Sequence, residues 1–112
     1  MSSTSKPLLK FVVWAPDTEG ALDQRYQVRQ RHLEGAAPLI KSGIMKVGGM
    51  TVDPTSDLSA AQKKATGSML IYEAESLEKV KELVESDIYY TSGVWDKEKL
   101  VIAPLFTVTP WP

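Results

Sequence analysis

Leu8-Leu9-Lys10-Phe11-Val12-Val13-Trp14 is an apolar run with one polar member. Its β-branched and aromatic content predicts a strand, ended by Ala15-Pro16-Asp17. Alternation places Leu9, Phe11 and Val13 on one face, and Leu8, Val12 and Trp14 on the other with Lys10. A strand apolar on both faces needs cover on both, so the second face requires a partner.

The chain on either side supplies the rest of the sheet. Ala21 to Lys41 reads as a long helix, with Asp17, Thr18 and Gly20 at its entry. Gly43 stands just past its end, where a left-handed cap is expected, and Pro38 is an interior blemish that loosens the last turn. Ile44 to Val52 is a second strand containing Gly48-Gly49, a pair that signals a bulge or a close approach. Asp53 to Ala65 is a polar loop, and Thr66 to Ala74 is a third strand. Ser76 to Glu85 is an amphipathic helix with Ser76 as N-cap and Leu77, Val80, Leu83 and Val84 on its apolar face. Asp87 to Val94 reads as a single turn. Lys97 to Val108 is the last strand, broken at Pro104.

The order β-α-β-β-α-β predicts a ferredoxin-like α+β fold, a four-stranded antiparallel sheet with both helices on one face. The third strand is also apolar on both sides, Met69 and Ile71 alternating with Leu70 and Tyr72. Trp14 and Tyr72 are assigned to the outer face. An open apolar face of this size does not stay wet, so a homodimer packed sheet to sheet is expected. The expected organisation is a disordered segment at residues 1–7, one domain at 8–108 and a tail at 109–112.

Composition narrows the function. The chain has 112 residues, 43% apolar and 24% charged, with a formal net charge of −1 and no cysteine. Near-neutral charge argues against general nucleic-acid binding. Lack of cysteine removes disulfides and thiolate chemistry. No run has the length of a membrane span or the form of a signal peptide, so a soluble, cytoplasmic protein without membrane contact is expected.

His32 is the only histidine. It lies in Arg25-Tyr-Gln-Val-Arg29-Gln-Arg-His32, on the border of a helical stripe formed by Leu22, Tyr26, Leu33 and Ile40. Arg29 falls near the centre of that stripe. Charge inside an apolar stripe is costly unless paired or used, which suggests a polar pocket at the edge of the core. A single histidine with scattered carboxylates makes a poor metal site, so no metal or cofactor is expected. Ser68, His32 and Asp87 could form a hydrolase triad, but no nucleophile elbow accompanies them, and no phosphate-cradling glycine loop is present.

From about Leu9 to Val108 the chain resembles the YCII-related family of the dimeric α+β barrel group. The resemblance is carried by Val28-Arg29-x-x-His32, Gly48-Gly49, Thr66-Gly67-Ser68, Glu75-Ser76-Leu77-Glu78 and Ser86-Asp87-x-Tyr89-x-x-Ser92-Gly93-Val94. One departure is Ile88, where family members usually carry proline. The resemblance implies an active site built on a histidine and an aspartate, here His32 and Asp87. It also implies likeness to muconolactone isomerases and a chloromuconolactone dehalogenase.

General chemistry agrees with that site. An imidazole exchanges protons near neutral pH, and a carboxylate on one ring nitrogen leaves the other for substrate. Bland alternatives stay open: His32 bonded to a backbone carbonyl, Asp87 as an N-cap, and Arg29 laying its stem over the stripe. Arg29 otherwise binds a substrate carboxylate as a fork. Ser68 is either a ligand contact or a plain strand serine, Gly48 and Gly49 shape a bulge or touch ligand, and Trp95 lines the pocket mouth. Three functions follow: a cofactor-independent isomerase or lyase for a small carboxylated or lactone-type substrate; a non-catalytic binding or accessory module; and a monooxygenase or haem-handling barrel, which the arginines flanking His32 disfavour.

Overall fold

β1 (Leu9–Pro16) is the strand on which the sheet is built. In the computed structural model, which describes residues 7–111, it pairs antiparallel with β3 (Ala65–Ala74) on one side and with β4 (Val101–Leu105) on the other. β2 (Met45–Val52) adds to β3, giving the order β2-β3-β1-β4. α1 (Leu22–Lys41), α2 (Leu77–Ser86) and the one-turn α3 (Ile88–Thr91) cover one face. This is the ferredoxin-like arrangement. The segment expected to be disordered falls, at residues 1–6, outside the described residues, as does Pro112.

Side-chain alternation decides what each face does. Phe11 sits opposite Tyr72 and Val13 opposite Leu70, and all four are buried under the helices with Val80, Val84 and Tyr89. Tyr72 therefore belongs to the helix-covered core, correcting its assignment to the outer face. On the outer face Trp14 lies across from Met69 and Val101, with the indole 49% exposed.

Local chemistry explains most boundaries. The Ser76 hydroxyl accepts from Lys79 N–H at 3.2 Å and caps α2. Gly43 adopts φ +83° just beyond α1, a conformation that favours glycine. α1 opens on Ala21 with no side-chain cap, because Asp17 and Thr18 turn elsewhere. The Thr18 hydroxyl donates to Gly93 O, and the Asp17 carboxylate accepts from Arg25. α1 runs on past Pro38 to Lys41. β4 is shorter than its apolar run suggests, and Pro104 lies inside it opposite Phe11. An edge strand tolerates a residue without an N–H.

Two polar groups sit deep in this core. Arg25 on α1 is 3% exposed and pairs with Asp17. Tyr72 presents a buried hydroxyl without a partner among the described residues. Burial pushes its phenol above the ordinary 10.0, and the Asp87 charge adds to the effect.

Two outcomes are expected in denaturation experiments. Arg25→Met strands a buried carboxylate and destabilises the fold by about 3–5 kcal/mol; a loss below ~1 kcal/mol would place the pair at a wet surface. Tyr72→Phe removes an unsatisfied hydroxyl and stabilises by about 1 kcal/mol at neutral pH. Because the folded phenol titrates above the unfolded one, its contribution is whole below about pH 10 and is lost as pH climbs further. The Phe variant should therefore show a shallower alkaline decline.

Candidate functional site

The inward face of α1 is Arg25, Val28, His32, Ala36 and Leu39, each buried or half-buried. This corrects the stripe read from apolar residues alone. Leu33 and Ile40, both assigned to that stripe, are 41% and 59% exposed. Counting apolar positions misplaces the face because its first member is a charged residue paired inside the protein with Asp17.

Arg25 organises one half of the site. Its Nη1 donates to both Asp17 oxygens, at 2.8 and 3.0 Å, and its Nη2 to Ser68 Oγ at 2.9 Å. The Trp95 indole N–H donates to the same Ser68 oxygen at 3.1 Å. Burial pushes the Asp17 carboxyl up, and the Arg25 charge and hydrogen bond oppose that. The Arg25 guanidinium also lies 4.6 Å from the centre of the Tyr89 ring.

His32 and Asp87 make the other half. The imidazole Nδ1 is 2.8 Å from Asp87 Oδ1, which also accepts the Tyr89 backbone N–H at 2.9 Å. Asp87 is thus the N-cap of α3 and the partner of His32 at once. The Tyr89 ring stacks on His32 with centroids 4.0 Å apart and planes 13° from parallel, and Trp95 meets His32 edge-on at 6.4 Å. The stack fixes the plane of the imidazole and the carboxylate fixes its rotation. With Nδ1 donating to a carboxylate, Nε2 is left at the far edge of the ring.

His32 stands in the wall between two cavities. The inner one, about 150 Å³, is lined by Arg25, Arg29, His32, Gly48, Gly49, Ser68, Tyr89 and apolar side chains including Met45, Met50 and Leu70. The outer one, about 430 Å³, is lined by His32, Asp87, Arg31 and Ser86 among others. Asp87 lines only the outer cavity, whereas His32 lines both. Burial pushes the Tyr89 phenol up, as it does that of Tyr72, so neither phenol supplies a base near neutral pH. A larger cavity, about 590 Å³, opens near the start of α2 beside Glu73, Lys46 and Lys79 and contains none of these groups.

The candidates from sequence are therefore placed as follows. His32 and Asp87 pair directly, Ser68 shares only the inner cavity with His32, and Arg29 is an exposed residue lining that cavity. Gly48 and Gly49 form part of that cavity's wall, downstream of the register shift between Met45 and Val47. Trp95 departs from expectation: it is 1% exposed and lies behind Ser68, away from any pocket mouth. Its size and one donor suit a buried site beside a hydroxyl oxygen. Arg25 and Asp17 were not anticipated. The available signal was the spacing Arg25, Val28, His32, Ala36, Leu39, a helical stripe that includes the arginine. Among the described residues no group of three or more His, Cys, Asp or Glu comes together as a metal site.

Comparison with known proteins places this geometry in context. Fusaric acid biosynthesis protein 2 of Gibberella fujikuroi is 36% identical over 97 residues, covering 87% of this chain and 92% of that protein. Protein YciI of Escherichia coli O6:H1 is 33% identical over 87 residues, covering 77% and 87% respectively. Among solved structures, the 5-chloro-2-hydroxyhydroquinone dehydrochlorinase TftG from Burkholderia phenoliruptrix AC1100, in complex with 2,5-dihydroxybenzoquinone, superposes with a TM-score of 0.73. It is 28% identical, and the match covers 93% of this chain and 94% of that one. The YCII-related domain profile matches residues 9–102, and the chain belongs to that family.

Proposed function

We propose that this protein is a small, soluble, cytoplasmic enzyme that moves a proton on a compact oxygenated or carboxylated ring without a cofactor. The reaction class is isomerase or lyase. The observation that carries the reading is the 2.8 Å contact between His32 Nδ1 and Asp87 Oδ1, with the ring held flat against Tyr89. His32 takes a proton from substrate carbon through Nε2 and returns it at a second position or to a leaving group. Asp87 holds the tautomer and balances the imidazolium that forms. Arg29, at the rim, draws in an acidic substrate and engages its carboxylate. The likeness to a dehydrochlorinase crystallised with a dihydroxybenzoquinone supports a ring substrate of this kind.

The assay is product analysis on a panel of chlorinated hydroxyhydroquinones and muconolactones. His32→Ala should lower turnover at least about 100-fold with the far-ultraviolet circular dichroism unchanged. Asp87→Asn should fall between that variant and wild type. A His32→Ala enzyme as fast as wild type overturns the reading. Ligand-induced thermal stabilisation with no product from any panel member does so too, and makes the chain a binding module.

We further infer that the outer sheet face, with Trp14 and Val101 about half exposed, is covered by a second copy of the chain. Sedimentation of wild type should then give a dimer, and Trp14→Glu should shift it toward monomer by placing a charge in the buried face. A monomeric wild type at micromolar concentration removes this assignment.

A further inference from the structure

Tyr89 holds the imidazole flat with its ring, but a phenylalanine would stack equally well, so its hydroxyl needs a separate reason. Two buried side-chain atoms lack a partner among the described residues and are sealed from solvent, Arg25 Nε and the Tyr72 hydroxyl. The Tyr89 hydroxyl makes no hydrogen bond to a described residue either, yet it is not sealed. Tyr89 as a whole is only 1% exposed, so the small surface it keeps includes that oxygen. A water-sized oxygen can therefore touch it. The cavity that Tyr89 lines is the inner one, shared with Arg25, Arg29 and His32.

The surroundings decide what this hydroxyl does. Burial pushes the phenol up, and the Arg25 and Arg29 charges only partly oppose that, so it keeps its proton at neutral pH and is able to donate. No carboxylate lines the inner cavity. Arg25 is balanced by Asp17, whereas Arg29 has no ion-pair partner among the described residues. The local field therefore favours negative charge on whatever oxygen meets the phenol. We infer that Tyr89 is a catalytic residue whose hydroxyl donates a hydrogen bond to the substrate oxygen on which charge collects when His32 removes a proton from carbon.

The assignment rests on the proton-transfer reading of the same site and extends it. The phenol and imidazole planes are stacked 4.0 Å apart at their centres, so one small substrate can meet both rings. The substrate is a carbonyl compound with an acidic C–H beside the carbonyl. When that C–H bond breaks, its proton goes to His32 Nε2. Its electron pair forms the new C=C bond, and the carbonyl π pair moves onto oxygen as enolate. Tyr89 holds that oxygen by a hydrogen bond without giving up its proton, and the bond strengthens as the charge grows. The enolate then collapses, and the imidazolium returns the proton at a second carbon. Arg25, lying 4.6 Å from the centre of the Tyr89 ring, is a positioning residue for the phenol.

The test is spectrophotometric titration of the full chain with 4-nitrophenol at mildly alkaline pH, where the probe is a phenolate that mimics an enolate oxygen. Its methyl ether, 4-nitroanisole, is the uncharged control. Wild type should bind the phenolate in preference to the ether. Tyr89→Phe keeps the stack on His32 and loses only the hydroxyl. It should bind the phenolate about ten- to a hundredfold more weakly, with affinity for the ether unchanged. Equal affinity of wild type for the two probes, no saturable binding by wild type, or phenolate binding unchanged in Tyr89→Phe overturns the inference. A loss shared equally by both probes does so too, because it reports a deformed cavity and not a missing donor. Binding needs no turnover, so the two readings fail separately. Turnover retained in His32→Ala removes the proton-transfer reading and leaves the phenol as an anion donor. Phenolate binding unchanged in Tyr89→Phe removes the donor and leaves His32 as the base.

Discussion

A guanidinium buried in a small core needs a carboxylate beside it, and the Asp17–Arg25 pair is the constraint around which this fold is arranged. A buried ion pair adds little net stability over apolar packing, but half of one is severely destabilising. The pair therefore fixes geometry. Asp17 follows the end of β1 and also bridges to Trp95, while Arg25 closes the first turn of α1. Ser68 on β3 and Trp95 beyond α3 complete the shell. Four separate segments thus meet at one charged point, and α1 cannot slide or roll on the sheet without breaking it.

That fixed point places the chemistry. His32 follows Arg25 by two helical turns and shares its face. Tyr89 is the spacer between them, taking the arginine's charge and the imidazole's plane on its ring. Asp87 reaches His32 because the start of α3 aims it. The carboxylate that caps the turn is the one that meets the ring, so the same oxygen serves both tasks. Ile88 occupies the first position of α3, where the Asp87 cap suffices without proline's fixed φ. Ile88 packs against the core in addition, which proline would do less well.

The element order was legible in the sequence because alternation and helical spacing are strong in β1, β3 and α2. What blurred was set by tertiary context. β4 is short because it pairs with β1 only over Val101 to Leu105, opposite Trp14 to Lys10, although β1 itself runs further at both ends. Tyr72 changed faces because both faces of β3 are apolar and alternation alone gives no sign of which is which. His32 and Asp87 lie 55 positions apart, and no local pattern in the sequence links them; only likeness to the family does. Arg25 was hidden because a charged residue on a helix reads as solvent-facing, and its acceptor belongs to a different segment. Trp95 was misjudged for a similar reason: its indole N–H finds an oxygen that only the folded sheet presents.

The contacts that close this site span most of the polypeptide. The Thr18 hydroxyl meets Gly93 O across 75 positions, and Gln24 meets Ser92 O across 68. β1 emerges from the ribosome before both of its neighbours, β3 and β4. Until Trp95 clears the exit tunnel, α1 carries a guanidinium whose cage is missing, and the nascent protein has no productive half. Such long-range closure favours slow, all-or-none folding. It also means that a chain cut before Trp95 lacks one wall of the Arg25 cage and the anchor for the entry to α1.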